Sequence, residues 1–151
     1  MPSFRTSHVV NHSAQQMFDL VADCEAYPQF VPLCQSLKIR RRFIGPGEAE
    51  TLVADMQVGY KAIKESFTSR VALDRGAKRI DVAYVDGPFS QLENIWRFAE
   101  VDGGRCRIDF FIAYEFRSRT LANLMGSMFD AAFRKFAIAF EQRADVIYPS
   151  V

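Results

Sequence analysis

His8 and His12, the three cysteines at 24, 34 and 106, and one oddly placed carboxylate, Glu65, are the side chains from which this sequence could build chemistry. A metal centre needs its ligands grouped, which shows in sequence as paired cysteines or as helical His/carboxylate spacing. Neither histidine is paired in this way with a second ligand on a helix, and the cysteines stand too far apart to pair, so no metal site is expected. There is no Gly-x-Ser-x-Gly elbow, no phosphate-cradling glycine loop and no dinucleotide fingerprint. Carboxylates fall mostly on the outward faces of the expected strands. No catalytic residue and no cofactor are therefore expected, and hydrolytic or phosphoryl-transfer chemistry is not indicated.

Glu65 shares its alternation with Ile63 and Phe67, positions that point inward. In a cavity it could hydrogen-bond a polar ligand head, and burial would raise its pKa. Strand-end curvature or a partner such as Arg97 would satisfy it equally well, and the inward polar residues Asn94 and Tyr114 carry the same two readings. Lys38, Arg40, Arg41 and Arg42 form the one basic run. Alternation places Lys38, Arg40 and Arg42 on one outward face, where they could meet phosphates of RNA or a membrane surface. A solvated face that discourages edge pairing is the plainer explanation.

The aromatic supply is unusual, with 14 phenylalanines in 151 residues. Phe67, Trp96, Phe98, Phe110, Phe116, Phe129, Phe133, Phe136 and Phe140 would each pass as core. Together with the adaptable Met125 and Met128 they exceed what a small core needs, and rigid rings between a curved sheet and a helix leave room for an apolar ligand.

Positioning these residues falls to a small set of elements. Residues 119–148 repeat apolar side chains at three-and-four spacing, from Leu121 and Leu124 through Met125, Phe129, Phe133 and Phe140 to Ile147, one amphipathic helix roughly 40 Å long. A weak strand over residues 3–10 precedes a helix opened by the capping box Ser13-x-x-Gln16. Residues 26–33, broken by Pro28 and Pro32, read as a short helix or bent loop and a candidate lid. From Cys34 the period becomes two: Leu37, Ile39 and Phe43 face inward in the first of six strands. Gly45-Pro46-Gly47, Asp74-Arg75-Gly76, Asp86-Gly87-Pro88 and Asp102-Gly103 mark turns between strands. Short turns mean an antiparallel meander with one buried face, and the long helix must cover it.

The totals bound the rest. A single domain spanning 1–151 with 49% hydrophobic and 25% charged residues and net charge +1 predicts no nucleic-acid or acidic-lipid partner from composition alone. Charges interrupt every apolar run, the N-terminus does not look like a signal peptide, and the odd cysteine count argues for a reducing compartment. A cytoplasmic monomer is expected, in peripheral contact with the inner face of the membrane at most.

Three motifs now carry a resemblance: residues 27–34, Tyr-Pro-Gln-Phe-Val-Pro-Leu-Cys; Gly87-Pro88-Phe89-x-x-Leu92-x-x-x-Trp96-x-Phe98; and Tyr114-Glu115-Phe116-x-Ser118. In this order they resemble the coenzyme Q-binding (ubiquinone-binding) family of START-like, polyketide-cyclase-type proteins, over essentially the whole chain. The resemblance implies an α+β helix-grip fold, a seven-stranded antiparallel sheet wrapped around the C-terminal helix in the order β-α-α-β6-α. It also implies a hydrophobic tunnel for ubiquinone or a related polyprenyl lipid. Carried onto this sequence, Tyr27, Phe30, Val31, Leu33 and Phe89 would border the entrance, and Phe67, Trp96, Phe110, Tyr114, Met125 and Phe129 would line the tunnel. Glu65, Phe116, Leu121 and Met128 complete the candidate set, and the half of the helix from Leu121 to Phe133 would be the ligand wall.

The leading expectation is a non-enzymatic lipid chaperone that supports respiration or ubiquinone biosynthesis, with transient contact to a membrane surface or respiratory complex. An isoprenoid tail gains about 0.8 kcal/mol per methylene removed from water, so an apolar tunnel can hold it without any catalytic group. A second expectation is a ribosome-associated inhibitor of translation, since bacterial relatives in this family include toxins that block subunit association; the basic run favours it. A third is a polyketide aromatase or cyclase, with Glu65 and Tyr114 as its acid-base pair.

Overall fold

Period-two alternation across residues 34–116 becomes six consecutive antiparallel strands in the computed structural model, which describes residues 2–46, 49–60 and 62–148, the side chain of Tyr60 excepted. Gly47 of the expected first turn and both chain ends of the expected domain lie outside the described residues. The order is β1 (Ser3–Val10), α1 (Ala14–Ala22), a 3-10 helix (Cys24–Gln29), β2 (Cys34–Ile44), β3 (Ala49–Tyr60), β4 (Ile63–Asp74), β5 (Arg79–Asp86), β6 (Phe89–Glu100), β7 (Cys106–Phe116) and α2 (Arg119–Ile147). The sheet runs β1-β7-β6-β5-β4-β3-β2, with β1 antiparallel to β7 in the register Ser3↔Ala113. This is the helix-grip arrangement the resemblance implied.

Local chemistry explains the boundaries. Ser13 accepts a hydrogen bond from the amide of Gln16 at 3.1 Å while the Gln16 side chain accepts from the Ser13 amide at 3.0 Å, closing the capping box. Glu100 at the end of β6 accepts from the Ala14 amide at 3.0 Å, so a carboxylate also sits at the positive end of α1. The Asp102-Gly103 turn forms a short 3-10 turn, Asp102–Gly104, in which Gly103 and Gly104 take φ of 71 and 74. Those are conformations that residues with a Cβ avoid. The proline-broken segment resolves into the 3-10 helix with Pro28 inside it, then bends back into β2 through Leu33, whose φ is 67.

Two expectations about facing are corrected. The ladder between β2 and β3 slips between Ile39 and Arg41, so one extra residue enters β2 and the alternation inverts beyond it. Arg42 thus pairs with the buried Leu52 and turns to the inner face, while Phe43 pairs with Thr51 and is 53% exposed rather than core. On α2 the buried residues run from Met125 to Ala144. Leu124 and Ile147 are 57% and 40% exposed, on the side of the helix turned away from the core, while Leu121 and Tyr148, nearer its ends, pack against that core.

The core lies between the inner sheet face, α2 and α1. Phe18, Phe89, Phe110, Phe129 and Phe140 are its largest fully buried side chains. His12, 4% exposed, donates from Nε2 to the Asp145 carboxylate at 2.7 Å, fastening the turn before α1 to the last turns of α2. No helix among the described residues is long and apolar enough to cross a membrane.

Candidate functional site

The inner faces of β2 to β7 and the middle of α2 do not close completely. Between them lies a cavity of about 90 Å³, room for a handful of waters or a small ring. On the sheet side its wall is Ala54, Met56, Phe67, Val71, Val82 and Trp96, among others; on α2 it is Phe129, Ala132, Phe133, Phe136 and Phe140. The 3-10 helix and the bend after it close one end with Cys24, Tyr27, Pro32 and Leu33.

That closing segment is fastened to α2. The rings of Tyr27 and Phe30 stand 5.1 and 5.0 Å from that of Phe140, both edge to face, geometries that favour aromatic pairs. The Arg143 guanidinium lies 5.4 Å from the Phe30 ring centroid and donates to Gln29 at 2.7 Å. The Tyr27 hydroxyl donates to the carbonyl of Val21 at the end of α1. Burial pushes the Tyr27 phenol well above its ordinary range, so it stays a neutral donor.

Polar atoms at the wall are few. Asn94 donates to the Phe111 carbonyl at 2.8 Å and accepts from the Trp96 indole at 3.0 Å, which fixes its amide and holds the indole in place. The Cys24 thiol is pushed up to about 11, chiefly by burial, so it is protonated and unreactive at neutral pH. Ser69 is 6% exposed, and its hydroxyl has no hydrogen-bond partner.

Of the residues expected at the site, Tyr27, Leu33, Phe67, Trp96 and Phe129 line the cavity. Phe89 is 1% exposed and forms a hub behind the wall, with ring centroids 5.9 Å from Phe67, 5.6 Å from Phe129 and 4.9 Å from Phe116. Tyr114 stacks edge-on against Phe133 at 5.0 Å, and Phe110 is sealed between Phe4, Trp96 and Phe136. Val31 and Met125 are buried core; Phe30, Leu121 and Met128 are half-buried and pack against it. Glu65 is half-buried at the start of β4, outside the cavity. Arg97, its suggested partner, lies two strands away opposite Arg79 and Asp109. The helix wall is therefore the centre of α2, Phe129 to Phe140, rather than the methionine-bearing first turns. Ala132 and Ser69 escaped sequence reasoning as site residues: alternation turns Ser69 inward, but neither a small side chain nor a lone hydroxyl marks a cavity wall.

The pattern of polyketide cyclase / dehydrase and lipid transport proteins matches residues 10–141. The chain belongs to that family. Its helix-grip fold is that of START superfamily proteins. Within the family, the chain is 33% identical over 147 residues to the ribosome association toxin RatA of Rickettsia prowazekii, covering 95% of this chain and 97% of that one. It is 32% identical over 149 residues to the mitochondrial coenzyme Q-binding protein COQ10 homolog B of Xenopus laevis, covering 96% of this chain and 59% of that one. Among solved structures, an 18 kDa protein from Caulobacter crescentus matches at 33% identity and TM-score 0.78, covering 99% of this chain and all of that one. The two named relatives differ by a single point of identity, 33% against 32%, so identity alone does not choose between a quinone-binding and a ribosome-associated role.

Proposed function

We propose that this chain is a non-enzymatic carrier of an apolar ligand, ubiquinone or a related polyprenyl lipid, in support of respiration or ubiquinone biosynthesis. The cavity between α2 and the sheet carries this reading, because its wall is aliphatic and aromatic apart from a few pinned polar atoms. Pockets that enclose drug-sized ligands measure roughly 300–1,000 Å³. At about 90 Å³ the cavity accepts a ring or a terminal isoprene unit, and a longer tail requires the fastened 3-10 helix to lift from α2. No cofactor enters this scheme. Glu65 and Tyr114 do not form an acid-base pair: two strands separate β4 from β7, and Glu65 lies outside the cavity. A cyclase reaction is accordingly not proposed.

The deciding experiment is purification from the native host, extraction with organic solvent, and mass spectrometry for a quinone. Recovery of a stoichiometric quinone is the expected result. A ligand-free protein that co-sediments with ribosomes would overturn the carrier reading.

The match to the RatA toxin along nearly its full length favours a second reading, ribosome association. The basic run supports it less than the bare sequence suggests. Arg40 forms a two-bond pair with Asp55 at 3.0 Å and Arg42 pairs with Glu50, so these two cations are already neutralised. Among the described residues Lys38 and Arg41 form no ion pair and are exposed on β2.

A further inference from the structure

Ser69 is the one buried cavity-wall group that the fold leaves unanswered. Its hydroxyl is walled in at 6% exposure and finds no hydrogen-bond partner. The neighbours it faces make no hydrogen bond to it. On its own strand the same-face neighbours are Phe67 and Val71, and across the ladders stand Ala54 on β3 and Tyr84 on β5. Ala54 has no polar side-chain atom, and the Tyr84 oxygen already accepts from the Phe89 amide at 3.0 Å. The adjacent hydroxyl behaves differently: Thr68, on the opposite face, donates to Asp55 at 2.6 Å. The β4–β5 ladder slips between Thr68 and Ser69, the kind of irregularity that re-aims a side chain. A buried hydroxyl without a partner destabilises a fold that an alanine would suit at no cost. Because Ser69 lines the cavity, a group that enters the cavity is placed to supply that partner.

We infer that Ser69 is the hydrogen-bond anchor for a single oxygen, a carbonyl or hydroxyl, on the ring of an otherwise apolar ligand. The inference rests on the carrier reading above and adds an orientation to it: the oxygenated ring enters the cavity and the hydrocarbon tail trails outward. The cavity's size agrees, since about 90 Å³ suits a ring rather than a polyprenyl chain.

The test uses the full chain and two probes of like shape, a benzoquinone carrying a decyl chain and decylbenzene, titrated by calorimetry into wild type and Ser69→Ala. Quenching of Trp96, the single tryptophan and part of the wall, reports quinone in the cavity. Wild type is expected to bind both probes. Ser69→Ala is expected to bind the quinone roughly 3- to 10-fold more weakly, the loss of one neutral hydrogen bond, to bind decylbenzene unchanged, and to melt at the same or a higher temperature. Equal quinone affinity in wild type and variant overturns the anchor while the carrier reading stands. Equal losses for both probes, or a lower melting temperature for the variant, also overturn it, because the hydroxyl would then be a packing element. Failure of wild type to bind either probe overturns the carrier reading and the anchor with it.

Discussion

Gly87 shows how narrowly some positions are prescribed. Its φ is 146, and a Cβ built there would lie 2.5 Å from the Cβ of Phe67, itself part of the cavity wall. Gly87→Ala is expected to lower stability by more than about 1 kcal/mol, seen as a shifted urea midpoint at unchanged slope. The thiols offer a test of burial. Cys24, Cys34 and Cys106 are each raised from 9.0 to about 11, with burial the largest cause. The folded state thus holds their protons more tightly than the unfolded chain. Stability from this source is complete below pH 9 and is lost as pH climbs through about 11. Denaturant titrations at pH 8 and pH 10.5 should show that loss, and replacing the three cysteines with alanine should flatten it. Sequence made the aromatic wall legible at this scale because bulky side chains at fixed spacing declare a face. It misplaced Glu65, since alternation tells which side of a sheet a residue occupies and not whether anything covers that side.

The elements were read more completely than their details. α2 and the meander carry long, sustained periods, and the capping box before α1 was visible as Ser13 and Gln16. The slip in β2 was not, because an inserted residue in a strand looks like any other residue until the partner strand is present. Its consequence was the reversal of Arg42 and Phe43. Ser118, part of the Tyr114-Glu115-Phe116-x-Ser118 motif, proves to be the N-cap of α2, accepting from the Leu121 amide at 3.1 Å. Ser118→Ala is expected to cost about 1 kcal/mol. Ser13→Ala removes only the Oγ acceptor of the capping box, since the residue 13 amide still donates to the Gln16 side chain, so it should cost a similar amount, and thermal melts of the two variants would compare them. If Ser13→Ala melts like the wild type, the side-chain half of the box contributes nothing.

For the molecule as a whole, the cavity is the part of the fold that can change without dismantling it. Ala132 on α2 is small, buried and in the wall. Ala132→Leu adds three carbons where space exists, so ligand retention should be abolished while the melting temperature holds or rises. Solvent extraction of the purified variant, together with its melt, checks both halves. Unimpaired retention would place the ligand elsewhere. The pairing of β1 with β7 has a consequence in time rather than in space. Ser3 meets Ala113, so during synthesis β1 waits for its partner. At about 5–20 residues per second of synthesis that interval is on the order of 5–20 s. During it the alternating, half-apolar strands β2 to β6 can pair with one another, while β1 and the face destined for α2 stay uncovered. Non-local ladders of this kind also fold slowly. A cell making this protein must therefore shield a nearly complete but unlidded sheet from its neighbours until α2 leaves the ribosome.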